Sequence, residues 1–248
     1  MEKQHIHIGT SGWSYKEWKN IFYPPELKST DWLSFYSKTF HITEINASFY
    51  NLPKKQTVES WVQKTPDDFL FCPKMSRYLT HIKKLKEPEE PLERFFSVFE
   101  PMQHKMGPVL IQLPPSLGFD LDTATYLYEL LKKNYAGHRF AMEGRHKTWL
   151  QEESLALLSK YNIAFVVSQS GHGFPYGEHI TAKDIYIRFH GPGKLYASSY
   201  DDATLKQFSI LFKKWWEQGH DLWIFFNNTM YKDGIENALT LERLMKHK

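Results

Sequence analysis

Cysteine is almost absent from this chain. Cys72 is the single cysteine among 248 residues, so no disulfide can form within the chain. Proteins that fold without disulfides are typical of reducing compartments. The sequence therefore predicts a cytoplasmic protein, although the same scarcity would fit a cysteine-poor secreted protein.

Long apolar runs and a strong net charge are missing as well. No stretch approaches the roughly 20 apolar residues that span a bilayer, and residues 1–5 lead into a short strand-like run without the apolar core of a secretion signal. The formal net charge is only +3, too small to dictate a nucleic-acid partner. We therefore expect no membrane partner, and nucleic acid stays open.

Aromatic residues are abundant instead, with 8 Trp, 14 Tyr and 18 Phe. Rings at this level fill a core, wall a pocket, or do both. The loop from Thr10 to Pro25 is long for a connector and holds Trp13, Tyr15 and Trp18. It predicts either a cover over one end of the core or a stacking wall over a ligand.

Eight short apolar segments alternate with segments of helical spacing. The apolar segments begin at Ile6, Ile42, Phe69, Pro108, Phe140, Ile163, Asp184 and Leu222. This alternation predicts parallel strands with helices outside, and eight units favour a single (β/α)8 TIM-type barrel over residues 1–248. The Gly-rich connector 170–177 is too short for a full helix, so the barrel should be irregular around strands 6 and 7. A doubly wound open sheet is the competing architecture.

Polar side chains stand at the ends of these apolar segments. They are Glu44, Asn46, Lys74, Gln112, Glu143, Arg145, Gln169, Arg188, His190, Asn227 and Asn228, with His81 in the loop after strand 3. Alternate residues of a strand point to the same face, and the active site of a TIM-type barrel lies at the carboxyl ends of its strands. The sequence therefore predicts that these side chains gather at one mouth.

The charge balance at this mouth favours an anionic ligand. Lys74, Arg145 and Arg188 are cations, and arginine binds phosphate or carboxylate with paired hydrogen bonds. Glu143 and Glu44 are the candidate general acid and base. The remaining candidates are His190, which would assist proton transfer, and the ligand-orienting residues Asn46, Asn227, Asn228, Gln112, His81, Trp13 and Tyr15.

A divalent metal held by Glu44, Glu143 and His190 is the alternative chemistry. Divalent sites favour more acidic or imidazole ligands and fewer adjacent cations. The chain has no HExxH motif, no paired cysteines and no G-x-S-x-G nucleophile elbow. We therefore predict a site that works without a metal or another cofactor.

Seven motifs run in order along nearly the whole chain. They are Gly9–Trp13, Glu44–Tyr50, Thr80–His81, Gln112–Pro115, Glu143–His146, Arg188–Gly191 and Phe226–Asn228. In these motifs the chain resembles the YecE-like proteins, the domain of unknown function 72. The resemblance implies a TIM-type barrel but supplies no reaction. By fold-level analogy the family is similar to xylose isomerase and endonuclease IV, which use metals at the same mouth, and such analogy is a weak guide to chemistry.

Two positions depart from the pattern of that family. Gly144 replaces the usual aromatic residue between Glu143 and Arg145, which predicts open space beside them. Ser168 and Gln169 stand where an aspartate is common. This loss of a carboxylate weakens the metal hypothesis further.

The leading hypothesis is a metal-independent acid/base enzyme, a hydrolase or isomerase, that acts on a phosphorylated or carboxylated small molecule. One alternative is a nucleic-acid-binding or endonuclease IV-like protein, with or without a metal, in which Trp13, Tyr15 and Trp18 stack on bases. Another is a non-catalytic binder of an anionic metabolite. The sequence fixes neither the substrate nor the oligomeric state.

Overall fold

A computed structural model describes residues 5–171 and 173–246, and this part of the chain forms eight strands. They are β1 (Ile6–Ser11), β2 (Ile42–Ile45), β3 (Leu70–Pro73), β4 (Val109–Gln112), β5 (Phe140–Glu143), β6 (Ala164–Gln169), β7 (Asp184–Phe189) and β8 (Asp221–Phe226). Neighbouring strands pair in parallel in the order β3-β2-β1-β8-β7-β6-β5-β4.

The two end strands of this order, β3 and β4, meet through short parallel bridges. Phe71 pairs with Met106 and Lys74 pairs with Leu110, and the amide of Met75 donates to the carbonyl of Leu110 at 2.8 Å. The sheet is thereby nearly closed on itself. The predicted TIM-type barrel is confirmed, and the open doubly wound sheet is wrong.

Eight α-helices surround the barrel in the described residues. They are α1 (Trp32–Tyr36), α2 (Ala47–Tyr50), α3 (Lys55–Gln63), α4 (Glu89–Phe99), α5 (Leu121–Asn134), α6 (Glu152–Lys160), α7 (Asp202–Glu217) and α8 (Asp233–Lys246). None of them is both long and apolar enough to cross a membrane. Residues 247 and 248, which the sequence assigns to the last helix, lie outside the described part.

Helix boundaries follow local capping chemistry. The carboxylates of Asp120 and Asp201 accept hydrogen bonds from the amides of Thr123 and Thr204, and so start α5 and α7. Between β6 and β7 the described residues 170–171 and 173–183 hold no helix, as the Gly-rich composition predicts. The β6–β7 connector (residues 170–183) is therefore the irregular part of the barrel.

Strand periodicity divides the buried apolar residues into two layers. One layer lies between the strands and the helices. The other fills the inside of the barrel and includes Ile42, Cys72, Leu110, Ala141, Val166, Tyr186 and Phe225. Since side chains alternate along a strand, residues two positions beyond these inner residues also point inward, at the carboxyl ends of the strands.

The amino-terminal end of the barrel is closed by rings. Trp223 stacks on His7 with 4.2 Å between ring centroids, and its Nε1 donates to Oδ1 of Asp184 at 2.7 Å. These contacts form a floor at the opposite end from the predicted mouth.

Candidate active site

Charged side chains from three strands meet inside the carboxyl end of the barrel. Glu44 of β2, Glu143 of β5, Arg188 of β7 and His190 just beyond β7 are each at most 1% exposed. Each follows an inward-facing apolar or aromatic residue by two or four positions, which explains why they share one space.

Arg188 lies between the two carboxylates and binds both. Its Nε and Nη2 donate to Oε2 and Oε1 of Glu44 at 2.9 and 2.6 Å, a bidentate pair. Its Nη1 donates to Oε2 of Glu143 at 2.7 Å. Three of the five N–H donors of Arg188 are thus used within the protein, so Arg188 positions the two carboxylates.

Further donors complete the shells of the two carboxylates. The hydroxyl of Tyr186 donates to Oε2 of Glu44 at 2.8 Å. Oε1 of Glu143 accepts from Ser168 Oγ at 3.0 Å and from Nε and Nη2 of Arg145 at 3.1 and 2.8 Å. Such dense hydrogen bonding is what makes a buried charge tolerable.

Both carboxyl groups are held ionised. Burial by itself raises a carboxyl pKa, but Arg188 outweighs burial at Glu44, where the pKa is lowered. At Glu143, Arg145 and Arg188 together outweigh burial and hold the pKa well below its usual value. At neutral pH both groups are therefore carboxylates without a proton to donate.

His190 is neutral and faces Glu143. Burial lowers the pKa of His190 to about 4. Its Nδ1 lies 3.0 Å from the amide nitrogen of Asn227, which assigns the ring proton to Nε2. Nε2 lies 3.5 Å from Oε1 of Glu143, and it has no hydrogen-bond partner among the described residues.

We expect His190 to make the protein sensitive to acid. A folded-state pKa below the ordinary 6.5 means that the unfolded chain binds the proton first. The proton equilibrium of His190 therefore lowers the free energy of unfolding as the pH falls from 6.5 to about 4. Below pH 4 it causes no further change. The variant His190→Gln should lower the slope of unfolding free energy against pH in this window by up to about 1.4 kcal/mol per pH unit. Urea titrations at several pH values measure the slope, and an unchanged slope would contradict the neutral buried state.

Lys74 lies beside this cluster but binds neither glutamate. Its Nζ donates to Oε1 of Gln112 at 2.9 Å and lies 4.1 Å from the ring centroid of Phe49. Burial, with the nearby Arg188, lowers the pKa of Lys74 to about 7. The amine is therefore partly uncharged at neutral pH.

Phe174, from the β6–β7 connector, covers the open side. Its ring centroid lies 3.6 Å from Cζ of Arg145 and 5.3 Å from the ring centroid of His190. This stacking fixes the guanidinium of Arg145 against Glu143. Arg145 and Glu143 are thus held at the mouth under an aromatic ring that no sequence pattern predicts.

The space predicted beside Gly144 is filled, so that expectation is wrong. A Cβ atom on Gly144 would lie 2.3 Å from both Cβ and Cγ of Trp149. The Trp149 ring reaches this place from the same loop, and its Nε1 donates to the carbonyl of Leu117 at 2.9 Å. Trp149 therefore occupies the place beside the backbone between Glu143 and Arg145.

Gly144→Ala should destabilise the fold by about 1–3 kcal/mol, because overpacking forces the backbone or Trp149 to move. Gly137→Ala is the matched control, since a Cβ there meets no atom within 4 Å. Equilibrium urea denaturation measures both. Equal stabilities would show that Trp149 adapts without cost.

The other predicted site residues lie in three places. Asn46, Trp13 and Tyr15 line a neighbouring pocket of about 450 Å³ between the β1 loop, α1 and α3. His81 binds Thr80 at 2.9 Å and packs edge-on to Phe49, next to Lys74.

Asn228 is not at the mouth. Its Nδ2 donates to the carbonyl of Ser198 at 2.9 Å and to Oδ1 of Asn237 at 3.0 Å, so it ties the end of β8 to α8 and the loop before α7. Trp18 is fully buried and its Nε1 donates to the carbonyl of Tyr231 at 2.9 Å. The amide nitrogen of Asn228 is thus used within the protein, and the Trp18 ring has no exposed face for a ligand.

Sequence reasoning missed three residues that touch the cluster. Tyr186 could have been found, because it precedes Arg188 and His190 by two and four positions on the same strand face. Ser168 pairs in register with Arg188. The sequence comparison with the family singled out this position only because an aspartate is common there. Phe174 carried no signal, since its place depends on the path of an irregular connector.

The residues proposed for the alternative metal site do not fit one. Both oxygens of Glu44 accept from Arg188, and Glu143 accepts from Arg188, Arg145 and Ser168. A metal would have to displace these donors. Within the described residues, no group of three or more His, Cys, Asp or Glu side chains is arranged to hold a metal ion.

Comparison with known proteins gives one consistent family. The sequence model of the family described as "Protein of unknown function DUF72" matches residues 7–248. The UPF0759 protein YunF of Bacillus subtilis (strain 168) is 26% identical, over 97% of this chain and 94% of that protein. The UPF0759 protein YecE of Escherichia coli (strain K12) is 29% identical over a shorter match, 46% of this chain and 39% of that protein.

Solved structures agree in fold. The DUF72 family protein TM1631 of Thermotoga maritima MSB8 has a TM-score of 0.86 and 29% identity, and the match covers 98% of this chain and all of that chain. The DUF72 family protein EF0366 of Enterococcus faecalis V583 has a TM-score of 0.81 and 20% identity, covering 98% and 96%. The second likeness concerns the fold alone.

Proposed function

The chain belongs to the DUF72 family, and we propose that it is a metal-independent acid/base enzyme, an isomerase or hydrolase, for a small anionic molecule bound at the carboxyl-end mouth. The observation that carries the proposal is the Glu143–His190 pair. An ionised carboxylate faces a neutral imidazole at 3.5 Å. One group accepts a proton and the other holds one.

The buried charged cluster costs folding free energy, so the stability of the fold does not explain why the cluster is present. Burying several charges costs free energy, and replacing such networks by apolar residues is often neutral or stabilising. Here Glu44, Glu143 and Arg188 are all fully buried at the end of a barrel where enzymes of this architecture place their catalytic groups. Retaining them is the expected consequence of a chemical task.

Unpaired polar atoms near the mouth support the binding of a polar ligand. Oγ of Ser11 and Oδ1 of Asn46 are buried without a hydrogen-bond partner among the described residues. Ser11 ends β1, and Asn46 directly follows β2. Buried polar groups normally have partners, so a bound molecule or ordered water would satisfy them.

The cationic side chains at the mouth favour an anionic ligand. Glu44 and Glu143 balance Arg188 and Arg145 within the cluster. A phosphate or carboxylate group of a ligand would meet the edge of the Arg145 guanidinium that Glu143 does not use, and arginine binds such groups through paired hydrogen bonds.

A ligand screen tests this proposal. EDTA-treated protein should gain thermal stability with some phosphorylated or carboxylated metabolites, and the hits should turn over without added metal. Arg145→Met should weaken binding of a hit by about tenfold or more, the loss of one hydrogen bond to a charged group.

Arg243→Met is the control for that variant. Arg243 lies on α8 and its Nη2 binds Thr240 at 3.0 Å on an exposed surface, so its removal should leave affinity unchanged. Turnover that appears only with added metal would contradict the proposal. Binding without turnover would leave the third hypothesis, a non-catalytic metabolite binder.

No specific contact favours the nucleic-acid alternative. Trp18 is buried in full, and the hydroxyl of Tyr15 donates inward to the carbonyl of Ser11. Stacking on bases needs exposed ring faces. Nucleic acid remains a partner that the salt dependence of binding would reveal.

A further inference from the structure

Among the residues that the structure describes, the buried amine of Lys74 has no ionic partner. It is 8% exposed, and its Nζ has a neutral amide, Gln112, as its acceptor and the face of Phe49 as its other neighbour. An ammonium group has three N–H donors. The surroundings of Lys74 therefore satisfy the charged form poorly.

Lys105 shows how this chain treats a buried lysine with a structural role. It is 1% exposed, and its Nζ donates to the carbonyls of Thr65, Pro66 and Val62 at 3.0, 2.7 and 3.3 Å, and to Oγ1 of Thr65 at 3.3 Å. Those acceptors saturate the ammonium group. The contrast shows that the poor solvation of Lys74 is specific to its position.

Neighbouring cations favour the uncharged amine as well. Burial, with Arg188 and Arg145 against the opposing pull of Glu143 and Glu44, lowers the pKa of Lys74 to about 7. Lysines that are desolvated or placed beside another cation are the ones that act as nucleophiles.

Gln112 holds Lys74 in place next to the acid/base pair. Its Nε2 donates to the carbonyl of Leu113 at 2.6 Å, which leaves Oε1 to accept from Lys74. Gln112 pairs in register with Glu143 across β4 and β5, and Lys74 pairs with Leu110 of the same strand. The Lys74 amine and the Glu143 carboxylate thus lie on either side of the carboxyl end of β4.

We propose that Lys74 is the nucleophile of this site and forms an imine with the aldehyde or ketone carbon of the substrate. The inference rests on the proposed acid/base function and narrows its substrate class to small anionic carbonyl compounds. It also favours an isomerase or a carbon–carbon bond reaction over a hydrolase.

The step balances without an oxidant or a reductant. The lone pair of Nζ forms the C–N bond while the C=O π pair moves to oxygen, which takes up a proton as nitrogen loses one. The hydroxyl then leaves with a further proton as water, giving a protonated C=N group. This group draws electrons from an adjacent C–H bond, whose proton Glu143 accepts. The resulting enamine takes a proton back at carbon from Glu143, and hydrolysis of the protonated imine with one water then returns the carbonyl, the free amine and one proton.

Reductive trapping tests the imine. The protein is treated at pH 7 with sodium cyanoborohydride and formaldehyde, the smallest aldehyde, and in parallel with glyoxylate, pyruvate or glycolaldehyde, and the modified lysines are mapped by peptide mass spectrometry. An ordinary lysine, with a pKa near 10.4, is uncharged in only about one molecule in 2,500 at this pH. We expect Lys74 to react about tenfold or more faster than the exposed lysines, while Lys105 stays unmodified.

Two variants separate a chemical role from simple exposure. Lys74→Arg keeps the charge and should remove the adduct. Gln112→Glu would supply a carboxylate partner, raise the pKa of Lys74 and move the pH at which trapping is half-maximal upward by about one unit or more. The pH profile would not move if Gln112 only filled space.

The outcomes distinguish this inference from the proposed function. If Lys74 reacts no faster than the surface lysines with formaldehyde and with every carbonyl probe, the imine is wrong, and the acid/base proposal still rests on its own ligand screen. If Lys74 is trapped selectively but anionic ligands neither bind nor turn over, the nucleophile stands and the proposed function fails.

Discussion

Replacing Glu143 by glutamine is expected to lower turnover by about 10²–10⁴-fold, the usual contribution of general acid–base catalysis. The amide keeps the shape of the side chain and one acceptor for Arg188 or Arg145. It cannot take up a proton, and it no longer gives His190 Nε2 a carboxylate at 3.5 Å. Ligand affinity should change little, because Glu143 contacts protein groups and is 1% exposed.

Asp184→Asn is the matched control for Glu143→Gln. Asp184 is also a buried carboxylate on an inner face of the barrel, and it binds Trp223 and Arg139. It lies at the amino-terminal end of β7, at the opposite end of the barrel from the mouth. Its loss should cost stability and leave turnover per folded molecule unchanged.

Turnover is measured on the first ligand that the screen identifies, with folded fractions matched by circular dichroism. Full activity of Glu143→Gln would remove this residue from the mechanism. Equal losses in both variants would mean that the effect on turnover comes from a general disturbance of the barrel.

Replacing Arg188 by methionine is expected to destabilise the protein by about 3–5 kcal/mol, the range found when one partner of a buried ion pair is removed. Methionine fills much of the arginine stem but leaves Glu44 and Glu143 without the three hydrogen bonds of 2.6, 2.7 and 2.9 Å. Both carboxylates would then be buried charges short of partners. Equilibrium urea denaturation at pH 7 measures the loss.

The pH dependence of Arg188→Met should have the opposite sign to that of the parent protein. In the parent, the lowered pKa values of Glu44 and Glu143 mean that their stabilisation is lost as the pH falls through those values. Without Arg188, the main group that opposes burial at Glu44 is gone, so its pKa rises and acidification protonates Glu44 and recovers stability.

A compensated variant provides the second check on Arg188. Glu44→Gln and Glu143→Gln added to Arg188→Met remove both charges together, and the triple variant should recover much of the lost stability. If Arg188→Met is as stable as the parent at pH 7, the ion pairs contribute nothing. If the triple variant is less stable than Arg188→Met, the loss has another cause.

The predicted site depended on periodicity, and this explains which of its residues the structure brings together and which it does not. Four residues could be grouped because each follows an apolar strand and because every second side chain of a strand points into the barrel. These residues are Glu44, Glu143, Arg188 and His190. Asn228 was grouped by the same reasoning, but β8 ends at Phe226 and the chain turns away toward α8. A pattern cannot say where a strand stops.

The partners of the charged groups were beyond the reach of the sequence. Arg188 looked like a ligand-binding cation, yet Glu44, 144 positions away, takes two of its donors. Gly144 looked like open space, yet Trp149 fills it. Lys74 looked like an ordinary cation, yet burial beside other cations lowers its pKa to about 7.

The sequence by itself determined the alternation of strands and helices and the strand ends at which polar residues collect, and it favoured the closed barrel that eight such units make. These features follow from local spacing and from which residues are apolar. Only the tertiary structure decided which charges neutralise each other and which amine is left unpaired. Coulomb energy and desolvation depend on distances between residues that are remote in the chain, and no local pattern encodes those distances.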